Sequence, residues 1–137
     1  MKTWLNGTFY NALPTDLKNV ITACTKYTDN TGKELNTYGV VTGTSQKIWL
    51  LAEYEVFGEN EYTNQYEQDS QAQYDYYKNG NSRVRYAHND TATSRYCWLR
   101  SPSKNSALNF VGMNRVVGHF SRSASCGYGF VPFFTIS

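Results

Sequence analysis

Hydrophobic positions along this chain come in short groups whose spacing changes from helical to alternating. In "LPTDLKNVITACTKY", Leu13, Leu17, Val20, Ile21 and Cys24 recur at helical spacing and predict a helix with one apolar face. Thr15, just after Pro14, is placed as its N-cap. Cys24 then lies on the apolar stripe as a small buried hydrophobe. "TDNTGKELNTYG" is polar and predicts a loop. "QKIWLLA" is an apolar run of strand length, with Ile48, Trp49, Leu50 and Leu51 buried. "AEYEVFG" predicts a short helical turn stopped by Gly58. In "SQAQYDYYKNGNS", Gln73 follows Ser70 at capping-box spacing, and Asn79-Gly80 offers a C-cap. Tyr74 and Tyr77 would face the core, with Ala72 a further candidate. "SRVRYA" alternates and reads as strand or extended chain. Beyond Arg95, short β-prone runs at Cys97-Trp98-Leu99, Asn109-Phe110-Val111, Arg115-Val116-Val117 and Phe130 to Phe134 are separated by Gly, Ser and Asn. Helices early and strands late predict an α+β fold.

Length and composition narrow this picture. The 137 residues suit a single domain, standing alone or as the C-terminal part of a longer chain. With 40% hydrophobic and 18% charged residues the chain is globular rather than disordered. Twelve Tyr, seven Phe and three Trp make it rich in rings that serve cores and contact surfaces alike. No apolar run approaches a membrane span, so no membrane insertion is expected, and "MKTWLNGTFY" lacks the apolar core of a signal peptide. Every Asp and Glu lies between Asp16 and Asp90, while the tail beyond Asp90 carries Arg95, Arg100, Lys104, Arg115 and Arg122 and no acid. That asymmetry is either internal pairing with distant carboxylates or a basic contact face. The cations are too sparse for a nucleic-acid site.

Catalytic signatures are mostly lacking. Ser101 and Ser103 have no nucleophile-elbow frame, and there is no phosphate loop or dinucleotide fingerprint. His88 and His119 lack metal-ligand spacing, and "HNDT" lacks the alternating acids of a calcium loop, so neither metal nor cofactor is expected. Cys24, Cys97 and Cys126 are odd in number and form no CxxC, although a Cys97–Cys126 bridge stays open.

Four segments in order, "WLNGTFYNAL", "KIWLLAEYEVFG", "YYKNGNSRVR" and "WLRSP", resemble a family of C-type-lectin-fold domains common in gut bacteria and their phages. A fifth, "GYGFVPFF", sits where that family ends in a Gly-Val-Arg-Pro-Ala-like strand, with Val131 in place of the arginine. The resemblance implies two helices packed on twisted antiparallel sheets, with a long irregular loop region. The calcium and sugar motifs of lectins are not present, since Pro102 stands between Ser101 and Ser103 and Trp98 precedes Leu99-Arg100. The layout is similar to variable proteins of diversity-generating retroelements. In these, adenine-directed mutagenesis of asparagine-type codons cannot yield Lys, Met, Trp, Gln or Glu. Between Ser103 and Tyr128 there is no Gln, Glu or Trp, one Lys and one Met.

The resulting expectation is a non-enzymatic, calcium-independent receptor-recognition domain, on a phage tail or cell surface, that binds a protein or glycan of a target cell. An oligomer is compatible with this. Trp98, Leu99, Pro102, Phe110, Val116, Phe130 and Pro132 would form the scaffold, with Arg100 in an internal hydrogen bond or ion pair. Val117 stays open between core and surface. The ligand-facing set would be Asn105, Ser106, Asn109, Gly112, Asn114, Arg115, His119, Phe120, Arg122, Ser123, Ser125 and Tyr128. Competing expectations are an oxidase of formylglycine-generating type using Cys97 and Cys126, and a purely structural phage-tail or cell-surface module.

Overall fold

The computed structural model describes residues 1–30, 41–104, 106–113 and 118–137. The fold is α+β, with short helices early and strands over much of the rest. A helical stretch opens the chain, in which α1 (Lys2–Trp4) and α2 (Tyr10–Ala12) flank a π-helical turn at Leu5–Phe9. Asn6 in this turn clamps a distant segment. Its amide donates to the Ile48 carbonyl at 2.7 Å, and its carbonyl accepts from the N–H groups of Lys47 and Ile48.

The helix predicted from Leu13 to Cys24 is cut short. α3 spans Thr15–Val20, with Pro14 rather than Thr15 at the cap position. Ile21 and Thr22 are β-branched and leave the helix as strand β1 (Ile21–Thr22), which pairs antiparallel with β10 (Thr135–Ile136). The far end of the chain thus captures this segment, and Ile21 is buried there. Cys24 accordingly opens strand β2 (Cys24–Asp29), half-buried against the main core and not on a helical stripe. β2 pairs with β3 (Val41–Gln46), and most of the predicted polar loop between them lies outside the described residues.

In "QKIWLLA", Gln46 ends β3, the chain bends at Lys47 and Ile48, and beyond them it makes one isolated bridge among the described residues, Trp49 to Phe133. Its alternation explains the unbroken apolar run. Ile48 and Leu50 enter a core with Leu5 and Ile21, while Trp49 and Leu51 enter a larger one with Val56, Tyr77, Cys97, Leu99, Val111 and Met113. An extended segment buried on both faces has no polar side to show. α4 (Glu53–Phe57) follows and ends at Gly58, whose φ of 72° is left-handed.

The second predicted helix is also shorter. Ser70 closes a 3₁₀ turn at Gln65–Ser70, and α5 spans only Asp75–Lys78, ahead of left-handed Gly80. Residues 71–74 stay extended because the Tyr74 N–H donates to the Glu55 carbonyl and the Gln73 amide to that of Val56. Tyr77 is buried, whereas Tyr74 and Ala72 are exposed. β4 (Arg85–Ala87) and β5 (Asp90–Arg95) form a hairpin. The central sheet has the order β8-β7-β6-β9, from β8 (His119–Ser123), β7 (Ser106–Met113), β6 (Cys97–Ser103) and β9 (Gly129–Phe130). Its pairs are antiparallel except β6 with β9. The strand expected at Arg115-Val116-Val117 lies outside the described residues.

Candidate functional site

The sheet register decides which side chains can meet. Phe120, Gly112, Trp98 and Phe130 stand in one row across β8, β7, β6 and β9. Residues in register share a face. Against that row Tyr128 packs its ring on Trp98 at 5.0 Å, on Tyr96 at 5.0 Å and on Phe120 at 5.4 Å, and Tyr96 meets Phe120 edge-on at 5.4 Å. Trp4 extends the aromatic strip by an edge contact to Phe130 at 5.6 Å. All four rings of the cluster are only partly buried.

Gly112 makes the cluster possible. A Cβ there would lie 2.5 Å from the Phe120 ring and 2.8 Å from the Cys97 carbonyl oxygen. Gly112 is therefore buried beneath Phe120 and serves the surface through what it lacks. Of the other sequence-predicted contact residues, Ser106 and Asn109 are half-buried on β7, and Arg122, Ser123 and Ser125 are exposed at the β8 end. Leu108, not singled out from sequence, is 75% exposed on the same hairpin. Asn105, Asn114 and Arg115 lie outside the described residues, as do Val116 and Val117. Of the expected scaffold, Leu99 and Pro102 are buried, and Trp98, Phe110, Phe130 and Pro132 are half-buried. Beside this face lies a cleft of about 530 Å³ between the N-terminal helix, the β2–β3 hairpin and β6. Leu5, Thr44, Leu50, Trp98 and Phe110 are among its walls, and its size suits a small ligand.

"WLRSP" holds the scaffold behind this surface. Arg100 pairs with Glu55 at 2.5 Å and donates to the carbonyls of Leu50 and Tyr27. Burial pushes the Glu55 carboxyl up, but Arg100, the Ala52 N–H and Lys26 outweigh it and hold it below the usual range. The Ser101 hydroxyl accepts from the Glu53 N–H and donates to Glu67. Burial raises Glu67 to about 7 against the opposing pull of Ser101 and Arg100.

His119 does not join the aromatic face. It pairs in register with Met113, one residue out of phase with Phe120, so its ring goes to the other side of β8. There it stacks on Phe57 at 4.2 Å and meets the edge of Tyr62. Nδ1 lies 2.6 Å from Glu53 Oε1, and Nε2 lies 2.8 Å from Glu61 Oε2 and 3.6 Å from Glu59 Oε1. Burial lowers the imidazole pKa, but the hydrogen bond and charge of Glu53, then Glu61 and Glu59, raise it above its ordinary value. Sequence reading missed this corner. Its only signal is the Glu59–Glu61 pair just after a helix-stopping glycine.

The cysteines are free thiols. Cys97 is buried, and burial pushes its thiol up despite nearby Arg85. Among the described residues no helix is long and apolar enough to cross a membrane. Neither the curated proteins nor the solved structures contain a match to this chain. A family model described as a domain of unknown function, DUF6273, matches residues 1–137, and the chain belongs to that family.

Proposed function

We propose that this domain is a ligand-binding module of C-type-lectin-like fold whose contact surface is the outer face of the β6–β9 sheet and the β7–β8 end. On this reading it is a variable protein of a diversity-generating retroelement, displayed on a phage tail or cell surface, and its ligand is a protein or glycan of a target cell. One observation carries the reading: the chain after Pro102 divides into buried support and an exposed end. Val111 and Met113 are buried in the main core, while Leu108, Arg122, Ser123 and Ser125 are exposed beside a half-exposed aromatic cluster. Rigid rings flanked by small polar and basic residues are the composition that adaptable binding surfaces use. The oxidase reading is weakened by Cys97, since a reactive thiol needs its pKa lowered and burial moves this one the other way.

The test is a displayed library randomised at Ser106, Leu108, Arg122, Ser123 and Ser125, selected against hen lysozyme as an arbitrary folded target. A control library of equal size is randomised at Tyr76, Asn81, Tyr86 and His88 on distant exposed positions. The first library should stay folded and yield binders that the control does not. Widespread unfolding in the first library, or equal yields from both, would defeat the assignment. The retroelement part is tested by sequencing the locus for a reverse transcriptase and a near-duplicate of the 3′ coding segment.

A further inference from the structure

We propose that His119, Glu59 and Glu61 hold a divalent transition-metal ion of the Zn²⁺ class, with Glu53 as the positioning residue behind the imidazole. The hydrogen-bonding inventory of the corner leads to this. Glu53 is fully buried, and its Oε2 accepts from the Thr63 N–H at 2.9 Å and the Thr63 hydroxyl at 2.7 Å. The Tyr62 N–H lies 3.2 Å from both of its oxygens. Glu53 is thus an acceptor throughout, so the facing Nδ1 of His119 carries a hydrogen and donates it. In a neutral ring that leaves a lone pair on Nε2. Nε2 points at two more acceptors, the carboxylates of Glu59 and Glu61. Positive charge between these three acceptors would stabilise their convergence.

A proton on Nε2 supplies a single charge and can serve one oxygen well. A divalent ion serves both carboxylates and the nitrogen together. One ligand atom from each of the three residues lies within 4.8 Å of the others, a spread that modest side-chain motion closes around an ion with bonds of about 2.0–2.2 Å. The buried carboxylate behind the ring supplies the arrangement that orients metal-binding histidines and fixes their tautomer. The His119 side chain is only 9% exposed and wedged between Phe57 and Tyr62, so the nitrogen is preorganised, while Glu59 and Glu61 are exposed and free to adjust. One imidazole with two carboxylates is a borderline donor set, which suits Zn²⁺ or its first-row neighbours better than a hard, all-oxygen ion such as Ca²⁺. This inference is independent of the ligand-binding reading, because the corner lies on the opposite side of β8.

The experiment titrates metal-stripped protein with Zn²⁺ by calorimetry and with Co²⁺ by visible absorption. One ion per chain should bind, with Co²⁺ bands of inner-sphere ligation and a melting midpoint raised by Zn²⁺. Affinity should fall at least ~10-fold in the Glu59→Gln/Glu61→Gln double variant and in His119→Gln, and stay unchanged in His88→Ala. The double variant changes exposed groups alone, so it keeps the test decisive even if His119→Gln folds poorly. No binding by the parent protein, undiminished binding by the double variant, or loss of binding on replacing His88 would each overturn the proposal.

Discussion

Replacing Glu67 by Gln should stabilise the domain progressively as pH rises from 5 to 8. Glu67 is fully buried in the 3₁₀ turn. One carboxyl oxygen accepts from the Ser101 hydroxyl, whereas the other meets no donor in hydrogen-bonding geometry among the described residues, although Gln71 lies close. Burial therefore dominates, and the carboxyl is raised from its ordinary 4.5 to about 7, with Ser101 and Arg100 opposing and Asp29 reinforcing. The folded state then holds the proton more tightly than the unfolded chain. Stability from this group is present in full below about 4.5 and is lost as pH climbs to about 7. At ~1.4 kcal/mol per pH unit, the loss amounts to about 3 kcal/mol. Glutamine cannot ionise, so urea denaturation followed by tryptophan fluorescence should show the variant gaining about 2–3 kcal/mol on the parent between pH 5 and pH 8, the rest of the loss falling below pH 5. Any fixed offset from the buried amide cancels in that pH dependence. A difference that stays flat from pH 5 to pH 8 would refute the reasoning, because it would mean Glu67 is charged in the folded state across the range.

Other consequences can be checked with the same equipment. Gly112→Ala should cost about 1–3 kcal/mol in thermal or urea melts, since its Cβ meets Phe120 and the Cys97 backbone, and the emission of neighbouring Trp98 should shift. Arg100→Met should cost about 3–5 kcal/mol by leaving Glu55 buried without its closest partner, whereas Arg95→Met, whose pair with Asp90 is exposed, should leave stability nearly unchanged. Iodoacetamide should label Cys126 in the native protein and reach Cys97 only on unfolding, which mass spectrometry of peptides would read directly.

What could be read from sequence was what local chemistry decides. Gly58 stops α4 because the left-handed turn there suits glycine. The run from Ile48 to Leu51 was readable as buried because both faces meet a core. Arg100 was expected in an internal hydrogen bond or ion pair, and its partners are internal. The failures have long-range causes. Spacing from Leu13 to Cys24 favours a helix, yet Ile21 pairs with Ile136 at the other end of the chain, and no local window contains that partner. Residues 71–74 are held extended by carbonyls at the end of α4. His119 seemed isolated because its partners Glu53, Glu59 and Glu61 are about half the chain away.

The two candidate sites meet in a single strand, and this bears on how the surface could tolerate variation. β8 lies at the edge of its sheet, where a strand has a neighbour on one side only. Two consecutive residues pin it on opposite faces: His119 by its contact with buried Glu53 at the start of α4, and Phe120 by its ring lying over Gly112. Beyond them Arg122, Ser123 and Ser125 are exposed, and substitutions at such positions usually change stability by no more than ~0.5 kcal/mol. Deep substitution scanning should therefore break sharply along the strand. Positions 122, 123 and 125 should accept most side chains, while positions 119 and 120, and 112 beneath Phe120, should accept few. Uniform tolerance across 119–125 would show that neither pin holds the strand. Uniform intolerance would show that the exposed end is part of the core's support and not a surface open to a partner.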